Sequence, residues 1–226
     1  MADLVIKPAP STGNKLILQT QNETAVLTTS DAGVDSATSI VATKTGTETL
    51  TNKTLTAPTV ADMSNCTFPN GHILQVISAN KNTTQALTST SAENWQAVSD
   101  LTVNITPQTG NDVLVLVNLN VGGDTDYQNQ ARLYRGSTAI SVGTADGNKL
   151  ASSFMWRAPG GNHMFNWGGV YLDTSPGGDG STAITYSIKV SGESNKIMYI
   201  NRAHVESNLY NFGRQNSSIT VMEVQA

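Results

Sequence analysis

The chain has 226 residues and a formal net charge of −4, and its 13% of charged side chains is about half the roughly 25% of an average soluble domain. Without a basic run it offers no surface for DNA or RNA, and no apolar run approaches the roughly 18 residues of a membrane-spanning helix. A single cysteine, Cys66, excludes an intrachain disulfide framework and a multi-cysteine metal site.

The first residues, Met1-Ala2-Asp3-Leu4, carry neither the basic nor the apolar part of a secretory signal, so the expectation is a protein made in the cytoplasm and used without export through the general secretory route. The Asn-x-Ser/Thr triplets at Asn22, Asn52, Asn65, Asn82, Asn104 and Asn216 are then by-products of a composition rich in Asn and Thr, not glycan acceptors. Residues 8–13 read as an irregular arm. Two short extended runs follow, 15–19 and 25–29, with Asn22 favouring a turn between them, and 30–33 reads as another turn. A lone β-hairpin is marginal in water, so residues 1–34 are expected to pack on something else, as an attachment segment.

From 35 to 70 large apolar residues become sparse and Thr, Ser and Ala dominate. A helix over 35–43, capped by Asp35 or Ser36, is the competing reading, but its β-branched residues oppose it. The core of this stretch is Gly46-Thr47-Glu48-Thr49-Leu50-Thr51-Asn52-Lys53-Thr54-Leu55-Thr56-Ala57-Pro58-Thr59-Val60, with Thr at nearly every other position and a Pro that ends the run. Alternating Thr favours extended backbone, and Pro58 biases Ala57 the same way. With Leu50, Leu55, Pro58 and Val60 as its few anchors, the thread buries too little to offset an ordering entropy of roughly 1–2 kcal/mol per residue. It needs a partner, most simply copies of itself in an oligomer. The run resembles the "LTNKTLTxPT" segments of bacteriophage tail-fibre and other virion proteins, notably those of marine phages.

Beyond Gly71 the pattern becomes that of an all-β domain. Leu101, Val103 and Ile105 alternate with Thr102, Asn104 and Thr106, a half-exposed strand. Residues 113–121 are apolar on one face throughout and on the second face only at the start, the mark of a central strand. Ile184, Tyr186, Ile188 and Val190 alternate with Thr185, Ser187 and Lys189. Further strands are expected at 73–78, 131–134, 139–142, 165–172, 197–201 and 219–224, with Gly, Pro, Asn and Asp clusters between them. Eight or nine short strands without an amphipathic helix point to a β-sandwich, and within that class to a jelly roll over 71–226.

The resemblance extends here. Phe68-Pro69-Asn70-Gly71-His72-Ile73-Leu74-Gln75-Val76, then Leu101-Thr102-Val103-Asn104-Ile105-Thr106-Pro107, then Arg132-Leu133-Tyr134-Arg135 with Ile140, and finally Ser217-Ser218-Ile219-Thr220-Val221-Met222-Glu223-Val224 follow the order of motifs in a C-terminal domain of phage virion proteins. The resemblance implies a trimeric jelly-roll head, comparable in architecture to complement and tumour-necrosis-factor heads, carried on the virion exterior. It also implies a first segment, 1–34, that holds the protein to the major capsid or a tail protein.

A search for chemistry yields no catalytic set, no metal site and no cofactor motif. His72, His163 and His204 stand far apart in no known motif, and a hydrolase would need a nucleophile with a base or a placed carboxylate pair. Asp124 and Asp126 could offer oxygens to Ca2+ but lack the remaining ligands of a dedicated loop. The densest aromatic cluster, Trp156, Arg157, Trp167 and Tyr171 around the turn at 159–162, is a conceivable glycan site, with core or subunit packing as the alternative. Tyr199, Tyr210 and Phe212 read first as core or interface. The expectation is a non-enzymatic virion structural protein, a homotrimeric short fibre or decoration protein on the capsid. The alternative is a tail fibre that recognises a host surface polysaccharide.

Overall fold

The computed structural model describes residues 68–210 and 212–226, together with the backbone of four short strands nearer the N-terminus. The chain divides into two compact units, Met1–Met63 and Ser64–Ala226.

In the first unit β1 (Val5–Pro8), β2 (Leu16–Gln19), β3 (Ala25–Ser30) and β4 (Gly33–Asp35) form an antiparallel sheet in sequential order. Leu18 faces Leu27 across β2 and β3, which are the two arms of the expected hairpin, and β1 adds to it with Ile6 opposite Leu18. Where the sequence suggested an irregular arm, β1 ends at Pro8. That position suits an X-Pro pair, because proline tolerates a strand end but lacks the donor a strand interior needs. The thread around Leu50, Leu55, Pro58 and Val60 and the helix considered over 35–43 lie outside the described residues.

The second unit contains β5 (Ile73–Lys81), β6 (Gln85–Thr88), β7 (Gln96–Ile105), β8 (Asp112–Gly123), β9 (Gln128–Arg135), β10 (Thr138–Ile140), β11 (Phe154–Arg157), β12 (Phe165–Asp173), β13 (Ile184–Gly192), β14 (Ile197–Ile200) and β15 (Ser217–Val224). One sheet runs β7-β13-β9, with β10 and β11 sharing the far edge of β9. The other has β8 at its centre. β12 lies along one edge of β8, while β15 and then β5 pair along the other, followed further up by β14 and β6. Consecutive long strands alternate between sheets and the ladders are antiparallel, so early strands pair with late ones: β5 with β15, β7 with β13, β8 with β12 and β15. This is the nested pairing of a jelly roll.

The strand patterns read from the sequence fill the space between the sheets. Leu101, Val103 and Ile105 face inward from β7, Val113, Val115, Val117, Leu119 and Val121 from β8, Tyr186, Ile188 and Val190 from β13, and Ile219 and Val221 from β15, all buried. Each such side chain contributes roughly 1.5–3 kcal/mol relative to exposure. β7 is longer than its alternating segment. Its pairing with β13 slips between Ser187 and Lys189, and Asp100 adopts a left-handed φ of 63° beside that bulge. The bulge receives the buried Lys81 side chain, whose Nζ donates to Ser99 Oγ at 2.7 Å and Thr83 Oγ1 at 3.1 Å.

Candidate functional site

The outer face of the β12-β8-β15-β5 sheet changes character along its strands. Leu172 stands opposite Leu114, Leu114 opposite Met222, and Met222 opposite Val76, so four adjacent strands present apolar side chains in one row. The next row is Val170, Leu116, Thr220 and Ser78, and the one after it Gly168, Asn118, Ser218 and Asn80. Val170 is 70% exposed, Val76 56% and Leu172 45%, while Leu114, Leu116 and Met222 are half-buried. Ile73, at the start of β5, is also exposed and extends the apolar end. At the polar end Asn166 donates to Asn118 Oδ1 at 2.6 Å and Asn120 Oδ1 at 3.0 Å, a small carboxamide ladder. The apolar start of the second face of 113–121 signalled this patch in the sequence. The contributions of Val170, Leu172, Met222 and Val76 follow only from the strand register.

The aromatic cluster is real but turned inward. Phe154 stacks on Trp156 with centroids 5.8 Å apart and on Trp167 at 6.0 Å, forming a row that bridges β11 and β12. Trp156 is 3% exposed, and its Nε1 donates to Gly122 O at 3.2 Å, so the indole faces the core and presents nothing to a sugar. Trp167 and Tyr171 are half-buried on the inner side of β12. Gly169 leaves room for the Trp167 ring, since a Cβ there would lie 2.7 Å from the indole. Of the four residues considered for a glycan only Arg157 is well exposed, and it pairs with Asp126 at 3.5 Å. Trp156 thus lies where the packing alternative puts it, whereas Trp167 and Tyr171 line a cavity of about 230 Å³ together with Val115, Val117 and Leu133.

The acidic loop residues point to separate partners. Asp124 Oδ2 accepts from Ile197 N at 3.0 Å and Oδ1 lies 3.3 Å from His204 Nδ1, whereas Asp126 faces Arg157. Among the described residues no group of three His, Cys, Asp or Glu side chains could hold a metal ion. His72 stacks on Phe68 and His163 Nδ1 is 3.3 Å from Gly160 O, so the three histidines do not meet.

Sequence reading also missed the ion network in the loop from β14 to β15. Glu206 accepts from Arg202 and pairs with Arg214, and these guanidiniums, Arg202 first, hold its carboxyl below the usual carboxylate range. Arg202 in turn lies over the Tyr199 ring, 4.4 Å from its centroid. The four-residue spacing of Arg202 and Glu206 was the available signal, but such a spacing is common in loops without a pair.

No family model matches the chain, and no curated protein does. Among solved structures, a chain from the structure of infectious bursal disease virus, Gx strain, aligns with 67% of this chain and 37% of its own length, at 14% identity and a TM-score of 0.30. The present chain therefore spans well under half the length of that viral chain.

Proposed function

We propose that the chain is a non-enzymatic structural protein of a bacteriophage virion, a homotrimeric short fibre or decoration protein on the capsid with its jelly-roll head outward. The observation that carries this reading is the uncovered apolar end of the β12-β8-β15-β5 face, where Leu172, Leu114, Met222 and Val76 lie side by side. Contiguous apolar patches of this kind mark interaction surfaces, and copies of the same chain in a closed ring cover the patch on every subunit at once. The Thr-rich thread has the same need for identical neighbours. The resemblance of its motif and of the head's motif succession to phage virion proteins supports the threefold number and the place on the particle, with residues 1–34 contacting the major capsid protein or a tail protein. Light scattering on the full chain tests the assembly, and antibodies against 71–226 on intact particles test the placement. The expected result is a trimer with label over the capsid. A monomer at micromolar concentration overturns the assembly, and label at the tail makes the protein a receptor-binding fibre instead.

A further inference from the structure

At the end of the head remote from the apolar row, the loop joining β14 to β15 and the loop joining β11 to β12 enclose a cavity of about 310 Å³, at the lower end of the roughly 300–1,000 Å³ of small-molecule sites. Its two walls are fixed to each other and to the sandwich. Val205 N donates to Gly161 O at 2.8 Å, and Gln215 N to Asn201 O at 3.2 Å. Asn201, itself buried with a left-handed φ of 61°, donates to Lys81 O at 2.7 Å and Thr83 O at 3.0 Å and accepts from Ser217 Oγ at 2.6 Å. Gly161 permits the close approach, because a Cβ there would meet Val205 Cγ2 at 2.5 Å.

The cavity lining combines the apolar Phe212, Met164 and Val205 with the polar Asn162, Gln215 and the Arg202–Glu206 pair. Asn162 and Gln215 are exposed, and their carboxamides make no hydrogen bond within the described residues. Just before Phe212, Tyr210 stands out from the loop fully exposed. We propose that this cavity is a saccharide subsite that takes one hexopyranose unit of a surface polysaccharide. A pyranose offers an apolar C–H face to a ring such as Phe212 and a rim of hydroxyls that both donate and accept. Asn162 and Gln215 do both, Glu206 accepts and Arg202 donates, so the lining carries both donors and acceptors for sugar hydroxyls. The ion pair fixes its own side chains before a ligand arrives, which lowers the ordering cost of binding. This site is separate from the Trp156 and Trp167 cluster and lies within one chain, so it goes beyond the proposed assembly and does not depend on it.

The test is saturation-transfer NMR of the full-length chain with glucose, galactose, mannose, N-acetylglucosamine and galacturonic acid. The parent is compared with the double variant Asn162→Ala, Gln215→Ala and with Phe212→Ala. The expected result is transfer to the ring protons of at least one sugar and a loss of affinity of tenfold or more in the double variant, at an unchanged melting midpoint. Transfer to galacturonic acid alone assigns the sugar's carboxylate to Arg202, and transfer to neutral sugars assigns the hydroxyls to the amides. Both results support the site. Absence of transfer to any of the five sugars, or a double variant that binds like the parent, overturns it. Because Phe212→Ala could disturb the loop, the double variant of the exposed amides is the decisive one. A monomer that still binds sugar would sink the proposed trimer and leave this site standing.

Discussion

Asp173, at the end of β12, is buried to 3% exposure and accepts from Tyr186 Oη at 2.8 Å and from Arg135 Nη1 at 2.7 Å. The two donors are not equivalent. Tyr186→Phe removes one hydrogen bond to a charged group but leaves the carboxylate matched by Arg135, so a loss of about 1.5–3 kcal/mol is expected. Asp173→Ala strands a phenol and a half-buried guanidinium, and the loss is expected to reach about 3–5 kcal/mol. Urea unfolding of the two variants separates these outcomes, and equal losses would contradict the assignment. Tyr186 also sets a pH dependence. Burial, and then the hydrogen bond to Asp173, push its phenol far above the usual tyrosine range, so the folded state holds this proton more tightly than the unfolded chain does. The associated stability is fully present below the unfolded pKa of about 10 and declines as pH rises past it. Unfolding followed from neutral pH to about pH 11 is expected to show a steeper alkaline loss for the parent than for Tyr186→Phe. Parallel curves would place the cause in other groups.

At the scale of elements, β11 and β12 meet across the sandwich through the row Trp156, Phe154 and Trp167. Truncation of a buried aromatic typically costs about 3–5 kcal/mol. Trp156→Ala is therefore expected to lower the urea midpoint steeply, an effect that a surface sugar contact would not produce. A variant that unfolds like the parent would return Trp156 to the surface. The long strands were legible in the sequence because one face of each meets a continuous core: Leu101 to Ile105, Val113 to Val121 and Ile184 to Val190 show period-two burial with few exceptions. β6 and β11 were not legible. With four residues each, Gln85–Thr88 and Phe154–Arg157 hold too few alternations to fix a period, so nothing local says that Met155 faces water and Trp156 the core. The cavity between the β14–β15 and β11–β12 loops escaped for another reason. Its polar residues, Asn162, Arg202, Glu206 and Gln215, are common loop residues whose meeting depends on the Val205–Gly161 hydrogen bond, a contact between segments distant in the chain that no local pattern encodes.

At the scale of the whole molecule, the head has two surfaces with different physical demands. The interior needs no partner. The apolar end of the β12-β8-β15-β5 face leaves Val170, Leu172 and Val76 open to water in the single chain. Single outward residues of this size are ordinary, but here they adjoin Leu114, Leu116 and Met222 across hydrogen-bonded strands, and it is the continuity that favours association. The contrast predicts a clean separation of assembly from folding. Val170→Glu combined with Leu172→Glu changes only side chains that point away from the core, so the isolated domain should lose little stability; surface changes usually stay within about 0.5 kcal/mol. In an oligomer the same carboxylates would be buried without partners, at a cost of several kcal/mol per ion, enough to dissociate it. The expected result is a folded monomer by light scattering, with the parent's far-ultraviolet circular dichroism, where the proposed assembly predicts a trimeric parent. Retention of the parent's mass would move the interface to another face. Loss of the β spectrum would mean that these side chains support the fold itself, and the apolar row would then need to be read as part of the core.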